Sequence, residues 1–131
     1  MARPTSPTLT PREAQIMEVL WTGGPATAEQ IRAALPDVPH DSTVRTLLRV
    51  LKDKGYVRHT TRGKAYLYQA SVKRASAERK ALRSLLQRFF GGSAEALVLR
   101  LIEDDQLTPQ QLDELKNQMQ SRGDGRRGGG Q

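Results

Sequence analysis

DSTVRTLLRVLKDKG, the stretch from Asp41 to Gly55, repeats its apolar side chains at a helical period. Val44, Leu47, Leu48 and Leu51 fall on one face, and Ser42, Arg45, Thr46 and Arg49 on the opposite one. The first face needs a core to cover it. The second carries two guanidinium forks and two hydroxyls aligned along the helix, the donors with which a helix reads base edges in the major groove of duplex DNA. A solvated basic face has the same composition, so the flanking sequence has to decide between them.

Upstream, two more helix starts are written in the capping residues. In Leu9-Thr10-Pro11-Arg12-Glu13, Thr10 caps, Pro11 fits the first turn and Glu13 closes a capping box. The helix that follows has the stripe Ile16, Val19 and Leu20, with Met17 and Trp21 to one side, and Gly23-Gly24-Pro25 ends it. Thr27-Ala28-Glu29-Gln30 repeats the capping pattern and opens a short helix through Ile31, Ala34 and Leu35, closed by Pro36. After a turn over 36–40, Asp41 or Ser42 is expected to cap the third helix, with Gly55 at its C-terminal end and Lys52 and Lys54 complementing the helix dipole.

Beyond Gly55 the apolar period changes from 3.6 to 2. Tyr56 to Thr60 and Ala65 to Gln69 are β-prone runs joined by Thr61-Arg62-Gly63-Lys64, which predicts a hairpin with a basic tip. Such a hairpin is marginal alone and needs the helices over one face. Three helices followed by it make a winged helix-turn-helix over 9–70. In that arrangement the third helix enters the major groove while Ser42, Arg62 and Lys64 meet phosphates.

Charge distribution agrees with this placement. The chain has 131 residues and a net charge of +7. Residues 1–74 carry 12 basic and 6 acidic side chains, whereas 75–131 carry 9 and 8. The first half therefore suits a polyanion, and the second needs another task. Aromatic residues make up 5% of the chain, too few for a single-strand binder built on stacking platforms.

In the second half, Ser71 to Phe90 has Leu82, Leu85, Leu86 and Phe89 on one stripe and stops at Gly91-Gly92. Ser93 caps a helix striped by Ala94, Leu97, Val98, Leu101 and Ile102, and Thr108-Pro109-Gln110-Gln111 opens one carrying Leu112, Leu115 and Met119. Three amphipathic helices in so short a stretch do not enclose a monomeric core. Residues 71–120 are thus expected to form a helical homodimerisation domain, the alternative being that they fold back onto the winged helix. The fold class is mainly α with a small β-hairpin. A flexible arm over 1–8 and a disordered Gly/Arg tail over 121–131 complete the expected layout.

Residue types that carry chemistry are sparse. There is no cysteine, which excludes disulfides and thiolate metal sites within this chain. His40 and His59 lack ligand spacing, and the run Glu103-Asp104-Asp105 does not converge on a point, so no metal or other cofactor is expected. No nucleophile has a histidine partner and no phosphate-binding glycine loop occurs, which argues against an enzyme. Neither a signal peptide nor a long apolar run is present, and a cytoplasmic protein without membrane insertion is expected.

The pieces Leu9 to Trp21, Asp41 to Lys54 with its Thr-Val-Arg-Thr-Leu core, Tyr66-Leu67-Tyr68, Phe90-Gly91-Gly92 and Leu97-Val98-Leu99, in this order and spacing, resemble the BlaI/MecI/CopY family of bacterial repressors over roughly residues 9–120. The resemblance implies a winged-helix domain, a helical dimerisation domain and repression by occupying palindromic operators, commonly with TACA/TGTA half-sites. It places base reading on Thr43, Arg45 and Thr46, to which the helical wheel adds Arg49. Family members that answer β-lactams are inactivated when a membrane-bound sensor's signal leads to cleavage at an Asn-Phe bond. The matching bond here is Arg100-Leu101, so a protease would meet different side chains. Copper-responsive members carry a C-terminal cysteine motif, and the absence of cysteine excludes copper sensing of that kind. Two other uses of the fold stay open: a winged-helix protein-interaction module, and a regulator that binds a small ligand between its domains.

Overall fold

Each helix start in the first part of the chain is set by a side chain that satisfies otherwise free backbone N–H groups. The computed structural model describes residues 8–129. Helix α1 spans Pro11–Gly23, and its capping box is reciprocal: the Glu13 N–H donates to Thr10 Oγ1 at 3.2 Å and the Thr10 N–H to Glu13 Oε1 at 2.9 Å. Thr27 and Gln30 repeat the exchange at the start of helix α2, Ala28–Ala34. Leu35 then turns extended, as a residue before proline must, and its side chain is buried, whereas Ala34, expected on the apolar stripe, is exposed.

Helix α3 runs over Asp41–Asp53. Its cap is neither Asp41 nor Ser42. His40 takes that position, its Nδ1 accepting from the Ser42 N–H at 3.2 Å, while Asp41 is the first helical residue and its carboxylate bonds Arg45 one turn onward. At the other end Gly55 adopts φ +86, with the Tyr56 N–H bonded to the Leu51 carbonyl and the Gly55 N–H to that of Lys52. This is a Schellman motif, in which glycine supplies the left-handed residue.

Strands β2, Val57–Arg62, and β3, Ala65–Ala70, pair antiparallel from Val57 opposite Ala70 to Arg62 opposite Ala65. The strands are longer and the turn tighter than the sequence suggested. Only Gly63 and Lys64 bridge them, and Gly63 at φ +63 takes the first central position, as in a type II′ turn. The sheet also has a third strand that periodicity did not reveal. The two-residue β1, Ala26–Thr27, pairs with β3 and gives the order β1-β3-β2. Two residues are too few to show alternation, and β1 directly abuts a capping residue.

The core of this unit gathers Ile16, Met17 and Leu20 from α1, Ile31 from α2, Val44, Leu48 and Leu51 from α3, and Tyr56, Val57 and Tyr68 from the strands. Val19, Trp21 and Leu47 are partly buried at its edge. Lys54, placed by sequence in a dipole role, instead enters the protein. Its Nζ meets Glu13 Oε1 at 2.7 Å with both side chains buried, and it also donates to the Thr8 carbonyl at 3.2 Å. Burial pushes the Glu13 carboxyl up, but the Lys54 ammonium and the Thr10 donors outweigh it and hold the group below the usual carboxylate range.

Helix α4, Arg74–Phe89, starts on the winged-helix unit and ends beyond it. The compact units divide at Ser84 and Leu85, so the boundary expected after residue 70 moves forward by one helix half. The reason lies in four contacts. Ala77 is buried in the core, and the Trp21 indole donates to the Val72 carbonyl at 2.9 Å. Arg74 forks onto Glu18 at 2.7 and 2.6 Å, and Lys80 lies over the Tyr56 ring.

The second unit contains the end of α4, α5 at Ala94–Glu103 and α6 at Pro109–Gly129. Ser93 caps α5, and Thr108 exchanges bonds with Gln111 before α6. The acidic run ends α5: Asp105 sits at φ +59, tolerated by Asp, while the Gln106 N–H returns to the Leu101 carbonyl. Helical backbone continues through 121–129, where an irregular tail was expected. Extending a helix adds one hydrogen bond per residue without a new nucleation cost, although each glycine there costs about 1 kcal/mol relative to alanine. The remainder of that tail, 130–131, and residues 1–7 of the expected arm lie outside the described residues. No helix among the described residues is long and apolar enough to cross a membrane.

Candidate nucleic-acid interface

Helix α3 is anchored by Val44, Leu48 and Leu51, all fully buried, which fixes its rotation and leaves Ser42, Thr43, Arg45, Thr46 and Arg49 exposed together. These are the residues that the sequence assigned to DNA. The Arg45 Nε donates to Asp41 Oδ2 at 2.9 Å, and that bond raises the guanidinium's pKa further. The Ser42 hydroxyl lies 2.9 Å from His40 Nδ1, so it is already tied to the cap of its own helix.

The wing brings a second cation to the same place. Arg45 from α3 and Lys64 from the turn both line a cleft of about 460 Å³, with Thr27, Glu29, Tyr66 and Tyr68 among its other walls. Arg62 is exposed at the wing tip outside that cleft, and Thr43, Thr46 and Arg49 also lie outside its walls. Tyr66 and Tyr68 share the period-2 run, but their place beside Arg45 depends on the sheet register and could not be read from spacing. Tyr66 is half exposed and stacks on His59 with ring centroids 4.2 Å apart, which gives that histidine an aromatic partner on the wing. Burial raises the Tyr68 phenol, and the nearby Arg45 charge lowers it part of the way back.

Glu29 is an acidic wall in an otherwise basic cleft. It is paired with Arg32 at 3.0 Å on its own helix. Asp41 likewise sets a carboxylate beside Arg45. Neither residue was expected at the interface; the signal was present in the four-residue spacing of Asp41 and Arg45, which puts them on adjacent turns.

The residues matching the implied cleavage bond, Arg100 and Leu101, lie inside α5, with Arg100 exposed and Leu101 half-buried. An extended-chain protease therefore meets helical backbone there. Among the described residues of the second unit no apolar side chain is fully buried, and Leu85, Phe89, Leu99, Leu115 and Met119 are exposed.

A family model described as penicillinase repressor matches residues 9–121. A penicillinase repressor of Bacillus licheniformis is 26% identical over 111 residues, covering 83% of this chain and 87% of that protein. A penicillinase repressor of Staphylococcus aureus is 23% identical over 107 residues, covering 80% and 85%. The methicillin resistance regulatory protein MecI of Mammaliicoccus sciuri is 25% identical over 108 residues, covering 80% and 87%. Since the match takes in the winged-helix unit, α4, α5 and the first part of α6, the chain belongs to the penicillinase repressor family, the BlaI/MecI group of transcriptional repressors.

Proposed function

We propose that the chain represses transcription as a homodimer seated on a palindromic DNA operator. The observation that carries this reading is the convergence of Arg45 and Lys64, from two different elements, on one cleft beside the exposed polar face of α3. Arg45 can fork onto guanine O6 and N7. Thr43 and Thr46 can meet a thymine methyl or a phosphate, and Arg49 extends the reading face. Arg62 and Lys64 supply phosphate contacts that fix register without reading sequence, and Ser42 joins them when its hydroxyl turns from His40 to a phosphate. Repression then consists of occupying a promoter, in the cytoplasm, and needs no catalysis or cofactor.

The unburied apolar side chains of residues 85–120 support dimerisation, since a second copy can cover what the monomer leaves open. Two copies place their third helices in successive major grooves about 34 Å apart. Release by cleavage at Arg100–Leu101, after a membrane-bound sensor's signal, fits the same scheme. Helix α5 buries no residue fully by itself, and isolated helices of its length are marginal in water, so the bond becomes accessible when α5 opens.

Titrating Arg45→Ala and the parent protein against an operator selected from random DNA, and against a random duplex, tests the reading. A loss of about 1–3 kcal/mol is expected on the operator and little on the random duplex. Equal losses on both would remove Arg45 from base reading.

A further inference from the structure

We infer that Asp41 is a specificity-determining positioning residue for Arg45. The inference rests on the DNA reading given above and extends it to a residue that touches no base.

Asp41 opens α3 and Arg45 lies one turn further, so their side chains meet on the exposed face. The bond joins the carboxylate Oδ2 to Arg45 Nε at 2.9 Å. A guanidinium offers two edges for a bidentate contact, one made by Nε with an Nη and the other by the two Nη groups. With Nε held by Asp41, the end-on pair is left to fork onto guanine. The carboxylate thus selects which edge of the arginine is presented and limits its rotamers before DNA arrives, so less freedom is lost on binding.

The same carboxylate acts against the wrong DNA. It is about half exposed and bonded to Arg45, which lines the cleft with Lys64, and it opposes any phosphate brought to Arg45 without a compensating base contact. Asp41 therefore costs affinity on every duplex and returns it only where Arg45 finds its base. If Asp41 served only as an acidic residue in the first turn of a helix, its removal would lower binding to all DNA in parallel.

The test is a double-mutant cycle in the full-length protein with Asp41→Ala, Arg45→Ala and the double variant. Each is titrated against the operator enriched from random DNA by the parent protein and against a random duplex of equal length. Asp41→Ala is expected to lose about tenfold on the operator while holding or gaining on the random duplex, and the double variant to lose no more specificity than Arg45→Ala alone. Asp41→Asn, which keeps an acceptor without the charge, guards against a folding defect and is expected to retain part of the discrimination. Parallel loss on both duplexes, or losses that multiply in the double variant, overturns the positioning role while leaving the DNA reading intact. A parent protein that enriches no sequence overturns both.

Discussion

Lys64 occupies the second central position of the wing turn, where its ammonium faces the same cleft as Arg45 without a fixed geometry toward any base. Replacing it with alanine is expected to weaken binding to operator and random duplex alike and to flatten the slope of log affinity against log salt by about 1, measured by anisotropy across a salt series. An unchanged slope would take Lys64 off the phosphates. A different kind of charge sits inside the protein. Glu13 is held by Lys54, and its folded pKa lies below the usual range, so the unfolded state binds the proton more readily. The stabilisation is present above the ordinary carboxylate range and is lost as pH falls through the lowered folded value. Urea unfolding at stepped pH should show this acid-side loss in the parent protein and a smaller one in Glu13→Gln. That variant should also be destabilised at neutral pH by about 3–5 kcal/mol, since it leaves Lys54 buried beside a neutral partner. The capping role of Glu13 was legible from Thr10 three residues before it. The pairing with Lys54, 41 residues away, was not, because nothing local distinguishes a lysine near a helix end that turns inward from one that stays in water.

Among elements, α3 was the most legible. Its apolar period identified Val44, Leu47, Leu48 and Leu51 as anchors, of which Leu47 is only half-buried, and the same arithmetic placed Arg45, Thr46 and Arg49 on the exposed side. Leu48→Ala is expected to cost about 2–5 kcal/mol in denaturant unfolding, and the loosened helix should lose operator affinity beyond what the unfolded fraction explains. Its cap was misassigned because histidine has no strong cap preference, whereas Asp41 and Ser42 do; Asp41 instead opens the helix and bonds Arg45 one turn on. The strand β1 and the division within α4 were invisible for a related reason. Both depend on long-range partners, β3 for the one and Trp21, Glu18 and Tyr56 for the other. Helix α4 also shows that near-neutrality of the second half was an average. Within that half α4 carries Arg79, Lys80, Arg83 and Arg88 against a single Glu78, while Glu95, Glu103, Asp104, Asp105, Asp113 and Glu114 follow.

For the whole molecule, the chain divides into two compact units between Ser84 and Leu85. The first has a closed core and an exposed basic face; the second exposes apolar side chains that a partner copy can cover. Leu99→Glu on α5 is expected to shift the full-length chain from dimer to monomer in sedimentation equilibrium at micromolar concentration, with the winged-helix unit still folded, and to lower operator affinity far more than affinity for random DNA. If a second copy covers α5 as proposed, limited proteolysis of that variant should cut near Arg100 sooner than in the parent protein. The central claim is that a dimer reads DNA sequence through α3. Its most direct measurement is sequencing of duplexes enriched from a random library by the purified protein. A palindrome with half-sites centred about 10–10.5 base pairs apart, or a multiple of that spacing, is the predicted outcome. Enrichment of no motif, or of a lone half-site without a symmetric mate, would contradict it.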